Sequence, residues 1–434
     1  MNDITHIGVT NYQNKHIRFG IKEKDRSGHI YCIGKTGSGK STLLLNLAIS
    51  DIQNRKGFAI IDPHGDISET ILNFIPKQRI EDVIYFNTAD SEFPVGFNPL
   101  HDVRENERHL VTANIVATFK KIWAESWGPR LEHILRNSIL TLLYYPNASL
   151  LDIQPLLTDF NFRNEVMNYV SVQGLRNFWH GEFNMMPPNL RAEAIAPVIN
   201  KLGLFQTHPI LRTVFGQQTS SFNIAEIMNQ QKILIVNLSK GALGEDCTQL
   251  LGSLLITQFQ TAALGRAKQP IETRTPYTIF IDEMHSFITL SFADILAESR
   301  KYGLALFLTH QYIEQLSDPI RAAIFGNVGT LISFRIGAAD AAVLEQEFLP
   351  TFTREDLVNL PRYAMYIKLL IDGTTSMPFS ANTMPLPVTS ISYAKDIIKD
   401  FRKRYARDRQ QVENEIAARY RQMGLDKKIQ SLFD

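Results

Sequence analysis

Residues 30–41 read IYCIGKTGSGKS, and this stretch decides the fold. Ile30–Ile33 is a short apolar run of the kind a buried strand needs. The next eight residues, Gly34-Lys35-Thr36-Gly37-Ser38-Gly39-Lys40-Ser41, fit G-x-x-x-x-G-K-[ST]. In that pattern the glycines let the backbone curl until its amide hydrogens point inward at phosphate oxygens. Lys40 would reach the β- and γ-phosphates of a nucleoside triphosphate, and the Ser41 hydroxyl would ligate Mg²⁺. From Thr42 to Ile49 the apolar residues recur at helical spacing, so the loop opens a helix whose positive dipole end adds to the site. The nucleotide-contacting set runs from Gly34 to Thr42.

Working outward, Phe58–Ile61 (FAII) is a second short apolar run that stops at Asp62. Strand, helix and strand at this spacing form a βαβ unit, which implies a parallel sheet. From about His101 to Phe222 the pattern becomes helical, with apolar periodicity in Leu110–Ile122, Leu131–Leu143 and Arg191–Leu202. Strand alternation then resumes in Ile233–Leu238, Tyr277–Ile281, Leu304–Leu308 and Leu331–Phe334. Tyr363–Ile371 and Thr374–Phe379, joined by Asp372-Gly373, read as a hairpin. The expected class is therefore α/β, a central mostly parallel sheet flanked by helices, with an inserted all-α domain. The expected segments are an N-terminal extension (1–28), a first part of the α/β domain (29–100), the insertion (101–225), the second part (226–390) and a basic helical tail (391–434).

Composition narrows the function classes. Lys and Arg total 45 against 44 Asp and Glu in 434 residues. A uniformly basic nucleic-acid coat is excluded, so any DNA contact must use local patches. The tail offers one, with Lys399, Arg402, Lys403, Arg404, Arg407 and Arg409 close together. The alternative is a solvated helix face. Two cysteines, Cys32 and Cys247, argue against a disulfide scaffold and fit a reducing cytosol. No apolar run approaches the 18 or more residues of a membrane span, so a cytoplasmic chain without its own span is expected, reaching a membrane through a partner.

The strand Tyr277–Ile281 ends in Asp282-Glu283. In a parallel sheet, acids at a strand's C-terminal end lie on the same edge as the phosphate loop. Asp282 would hold the Mg²⁺ shell, and Glu283 would polarise the attacking water. Gln311, after the run Leu304–Leu308, is placed to sense the γ-phosphate. Arg300 and Lys301 end the helix before that run, where cations also suit a helix C-terminus. Asp62 would touch the catalytic water or metal network, and Asp66 with Glu69 would cap the following helix as a capping box.

Taken together, the phosphate loop, Asp62-Pro63-His64-Gly65-Asp66, the helical insertion, Asp282-Glu283 and Gln311 resemble the HerA–FtsK superfamily of hexameric DNA-pumping ATPases. The nearest likeness is to the TraG/TraD coupling proteins of type IV secretion and conjugation. Trp127-Gly128-Pro129-Arg130-Leu131-Glu132 and Ser299-Arg300-Lys301-Tyr302-Gly303-Leu304 are similar to segments of such ATPases. The resemblance implies a RecA-like P-loop NTPase fold, ATP and Mg²⁺ as cofactors, DNA as partner and a hexamer. It also implies that Arg300 acts as a finger on the neighbouring subunit's nucleotide. Three other readings stand beside it: a secretion-system assembly ATPase with the same active site, a nucleotide-gated scaffold docking relaxase or effectors, and the ATPase partner of a nuclease in a DNA-processing or anti-phage complex.

Overall fold

The structure, a computed structural model, describes residues 4–289 and 292–423. The outermost parts of the N-terminal extension (1–3) and of the tail (424–434) lie outside the described residues. Two compact units result, Met1–Asn87 with Ile224–Phe401 and Thr88–Asn223 with Arg402–Asp434.

The first unit is built on strands β1 (Ile4–Thr10), β2 (Arg18–Lys22), β3 (Ile30–Ile33), β4 (Phe58–Asp62), β5 (Val83–Asn87), β6 (Ile233–Asn237), β7 (Tyr277–Ile281), β8 (Leu304–His310), β9 (Thr330–Ser333), β10 (Ala364–Lys368), β11 (Leu370–Ile371), β12 (Thr374–Thr375) and β13 (Phe379–Thr383). Among the described residues, eleven strands form one sheet in the order β2-β1-β13-β10-β9-β3-β8-β7-β4-β6-β5. From β9 to β5 every neighbouring pair is parallel. These parallel strands are almost wholly buried, as their continuous Ile, Leu, Val and Phe runs require when helices cover both faces.

The remaining four strands are antiparallel additions beyond β9. The expected hairpin at Asp372-Gly373 exists but is small: β11 and β12 pair with each other, while β10 reaches past them to β13. The extension before residue 28 supplies β1 and β2, with β1 hydrogen-bonded to β13. Their mixed sequence, half polar, carries no buried-strand signature.

The second unit is helical. It includes Arg108–Ile122, Pro129–Leu142 and Pro188–Thr207. Trp179 and Phe183 are fully buried, and the Trp179 indole N–H donates to Thr141 Oγ1 at 2.7 Å, so these aromatics are core. The segment from Trp127 to Glu132 is a helix start. Gly128 is extended, Pro129 opens the helix, and Glu132 accepts from the Trp127 indole at 2.8 Å and from Arg136 at 3.0 Å. Proline at the first helical position forfeits no hydrogen bond, because that amide is unpaired in any helix.

The tail is helical as expected, but its last described helix is not a wholly solvated one. Arg409–Gln422 buries Val412 and Ile416, and Arg419 reaches the buried Asp152 carboxylate at 2.6 Å. Nor is the tail a uniform cationic patch. Arg402 makes a two-pronged contact with Asp90 (2.8 and 3.0 Å), Arg407 pairs with Glu415, and Arg409 lies 3.6 Å from Glu92. Lys399 and Lys403 stay exposed.

Candidate active site

The strand order places the C-terminal ends of β3, β8, β7 and β4 side by side. The residues that follow them are the phosphate loop, Gln311, Asp282-Glu283 and the Pro63-His64-Gly65 turn. Segments some 240 positions apart in sequence therefore share one sheet edge.

Lys40 starts the helix Lys40–Gln53, and its side chain folds back over the loop. Its Nζ donates to the carbonyls of Gly34 (2.5 Å) and Lys35 (3.2 Å). The residue is 6% exposed, and no carboxylate pairs with it among the described residues. A buried ammonium held only by carbonyls is costly unless an anion joins it. The loop backbone is pinned from outside by Gly34 N to His310 O (3.2 Å), Lys35 N to Arg335 O (2.8 Å) and Tyr363 N to Ser38 O (2.8 Å). Among the described residues, the amides of Gly37, Gly39 and Lys40 find no acceptor in the chain, and the buried Ser38 hydroxyl has none either. Gly37 (φ 73°) and Gly39 (φ 132°) take backbone angles that side chains resist. A Cβ on Gly39 would fall 2.8 Å from the Phe334 ring. These donors fit a polyphosphate, and the exposed Ser41 side chain beside them fits its Mg²⁺.

The acids sit opposite. Asp282 accepts from the Thr309 hydroxyl through Oδ1. Burial, with Glu283 and Asp62 nearby, pushes the Asp282 carboxyl up to about 6, although Thr309 and Lys40 pull it down. Glu283 Oε1 accepts from Gln311, and Oε2 lies 3.5 Å from His285 Nδ1. Gln311 in turn accepts from the Thr36 hydroxyl at 3.1 Å. A continuous polar chain thus runs from the phosphate loop through Gln311 to Glu283.

Asp62 is occupied differently from the expectation. Its carboxylate accepts from the backbone amides of His64 (3.0 Å), Gly65 (2.9 Å) and Ser68 (2.8 Å). It therefore shapes the turn and caps the helix Asp66–Leu72, the task the sequence assigned to Asp66 and Glu69. Asp66 is already inside the helix, after Gly65 at φ 101°. Asp62 remains close enough to raise the Asp282 carboxyl. Arg300 is not brought to this site. It is exposed, in the turn Ser299–Tyr302 before β8, whereas Gln311 follows that strand's far end. Seven strand residues put about 20 Å between those ends. Thr309 escaped the sequence reading, since only the pairing of β7 with β8 reveals what its hydroxyl meets.

A model of the type IV secretion-system coupling protein DNA-binding domain matches residues 17–351. Among solved structures, the bacterial conjugative coupling protein TrwBdeltaN70 in its unbound monoclinic form is 18% identical, with 86% of this chain and 88% of that one covered and a TM-score of 0.60. The plasmid coupling protein TrwB in complex with ADP and Mg²⁺ is 17% identical over 86% of this chain and 90% of that one, with a TM-score of 0.64. VirB4 of Thermoanaerobacter pseudethanolicus is 13% identical over 89% and 98%, with a TM-score of 0.60. No curated protein matches in sequence.

Proposed function

This chain belongs to the family of type IV secretion-system coupling protein DNA-binding domains, and from that premise we propose that it is an ATP-driven DNA translocase of a conjugative or type IV secretion system, working as a hexamer. The observation that carries the reading is the buried Lys40 ammonium, held by two carbonyls and, among the described residues, by no carboxylate, on the same sheet edge as Asp282 and Glu283. The relative solved with ADP and Mg²⁺ supports the same ligands here.

The free amides of Gly37, Gly39 and Lys40 bind the phosphates, and the Lys40 ammonium neutralises them. Thr36 and Thr42 flank the cradle. Ser41 and Asp282 would hold Mg²⁺, which when bound would offset the negative charge of the phosphates. Glu283 orients the attacking water and takes its proton. Gln311, bonded to both Thr36 and Glu283, reports the γ-phosphate to the acid. Arg300, remote from its own subunit's site, acts on the nucleotide of the next subunit. No described helix is long and apolar enough to cross a membrane; the setting we propose is the cytoplasm. A secretion-system, relaxase or nuclease partner gives it its setting, and a membrane-bound partner would hold it at the inner face.

The test is the ATPase rate with added single- and double-stranded DNA, oligomer size followed in parallel. A rise of about tenfold or more with DNA is expected, abolished in Lys40→Ala. A wild-type rate indifferent to both DNAs would overturn the translocase reading.

A further inference from the structure

Successive side chains along a strand point to opposite faces. Were β7 to continue in extended form, Asp282 and Glu283 would diverge. Glu283 instead takes a left-handed backbone, φ 48° and ψ 52°. For a residue with a side chain that conformation costs roughly 1–2 kcal/mol and persists only where its surroundings enforce it.

The enforcing contact comes from β8. Thr309 is fully buried, two residues before Gln311. Its hydroxyl donates to Asp282 Oδ1 and accepts the Glu283 backbone N–H at 3.2 Å. A hydroxyl has one proton and two lone pairs, so one atom serves both acids at once. The second Asp282 oxygen makes no hydrogen bond among the described residues. An aliphatic side chain of the same shape would fill the space and supply neither bond.

We propose that Thr309 is a positioning residue for the acid pair. It fixes the Asp282 carboxylate for Mg²⁺ and stabilises the backbone turn that aims Glu283 at the attacking water. The proposal rests on the ATPase reading above, which the wild-type rate and its loss in Lys40→Ala check separately.

Thr309→Val keeps the β-branched shape without the hydroxyl, and Thr309→Ser keeps the hydroxyl. For Thr309→Val, kcat is expected to fall ~10- to 100-fold, while the KM for ATP in Mg²⁺ rises by no more than about tenfold, in step with the lost Mg²⁺-dependent affinity. Binding of a fluorescent ATP analogue should be unchanged in EDTA, but the affinity gained on adding Mg²⁺ should shrink by about tenfold. Thr309→Ser should restore both. Thr309→Cys, a weak donor of similar size, should fall between them and serves if the valine variant is unstable. A valine or cysteine variant with wild-type kcat and wild-type Mg²⁺ gain overturns the proposal, as does a serine variant as impaired as the valine one.

Discussion

His29 shows how much one buried side chain decides. Its Nδ1 accepts the Leu306 amide at 3.1 Å, and its Nε2 faces the Leu296 carbonyl at 3.1 Å. Only the neutral ring with its proton on Nε2 satisfies both. Burial and the nearby Arg300 hold its pKa down at about 4, from an ordinary 6.5. A group depressed in the folded state contributes stability above its unfolded pKa and loses it as pH falls toward the folded one. Wild type should therefore lose roughly 1.4 kcal/mol per pH unit to this residue between pH 6.5 and 4, about 3 kcal/mol in all. His29→Gln should remove that slope, so urea melts of both proteins across this range must converge toward acid. At this scale the sequence displayed the phosphate loop and the strand-end acids openly, because both are contiguous patterns. It hid the tasks of Thr309, Asp62 and His29. Each is defined by bonds to segments that are either distant in sequence or bent back by a local turn.

Elements were legible in proportion to their periodicity. All the buried parallel strands but β5 (Val83–Asn87), which the sequence reading passed over, stood out as unbroken apolar runs, and the long helices as 3.6-residue patterns. β1 and β2 did not, since an antiparallel edge carries polar residues on one side. The tail helix Arg409–Gln422 was misjudged for a related reason: charge dominates its composition, and a buried ion pair looks like a solvated face until its partner is seen. Asp152 is enclosed, accepts from Ser149, and meets Arg419, with burial pushing its carboxyl up to about 6. Arg419→Ala would leave that carboxylate unpaired, destabilising the helical unit by about 3 kcal/mol near pH 8. The loss should shrink near pH 5, where the carboxyl takes up a proton and becomes neutral. Thermal melts at the two pH values check this, and an equal loss at both would contradict it.

The whole molecule shows how a site is assembled from strand ends. β8 stands between β3 and β7, so Gln311 can bond to the loop on one side and the acid on the other. Arg300 lies beyond the opposite end of β8, so the role proposed for it requires a neighbouring subunit's nucleotide. Arg300→Ala should keep ATP affinity within about threefold yet lower the ATPase rate by ~10³-fold or more. Mixing it with Lys40→Ala subunits, which present an intact Arg300 to the variant's nucleotide, should recover part of that rate. Absence of recovery in verified mixed rings would exclude action between neighbours.

The sheet order also has a bearing on biosynthesis. β3 is flanked by β8 and β9, and β1 by β13, with Gly8 opposite Thr383. At ~5–20 residues per second, a ribosome needs roughly 20–75 s between making those two residues. Until β8 and β9 are made the glycine-rich cradle has no flanking strands, and until β13 is made β1 lacks its neighbour on that side. Nascent chains stalled short of β8 should accordingly be cut by protease near residues 30–41, and chains released after β13 should resist.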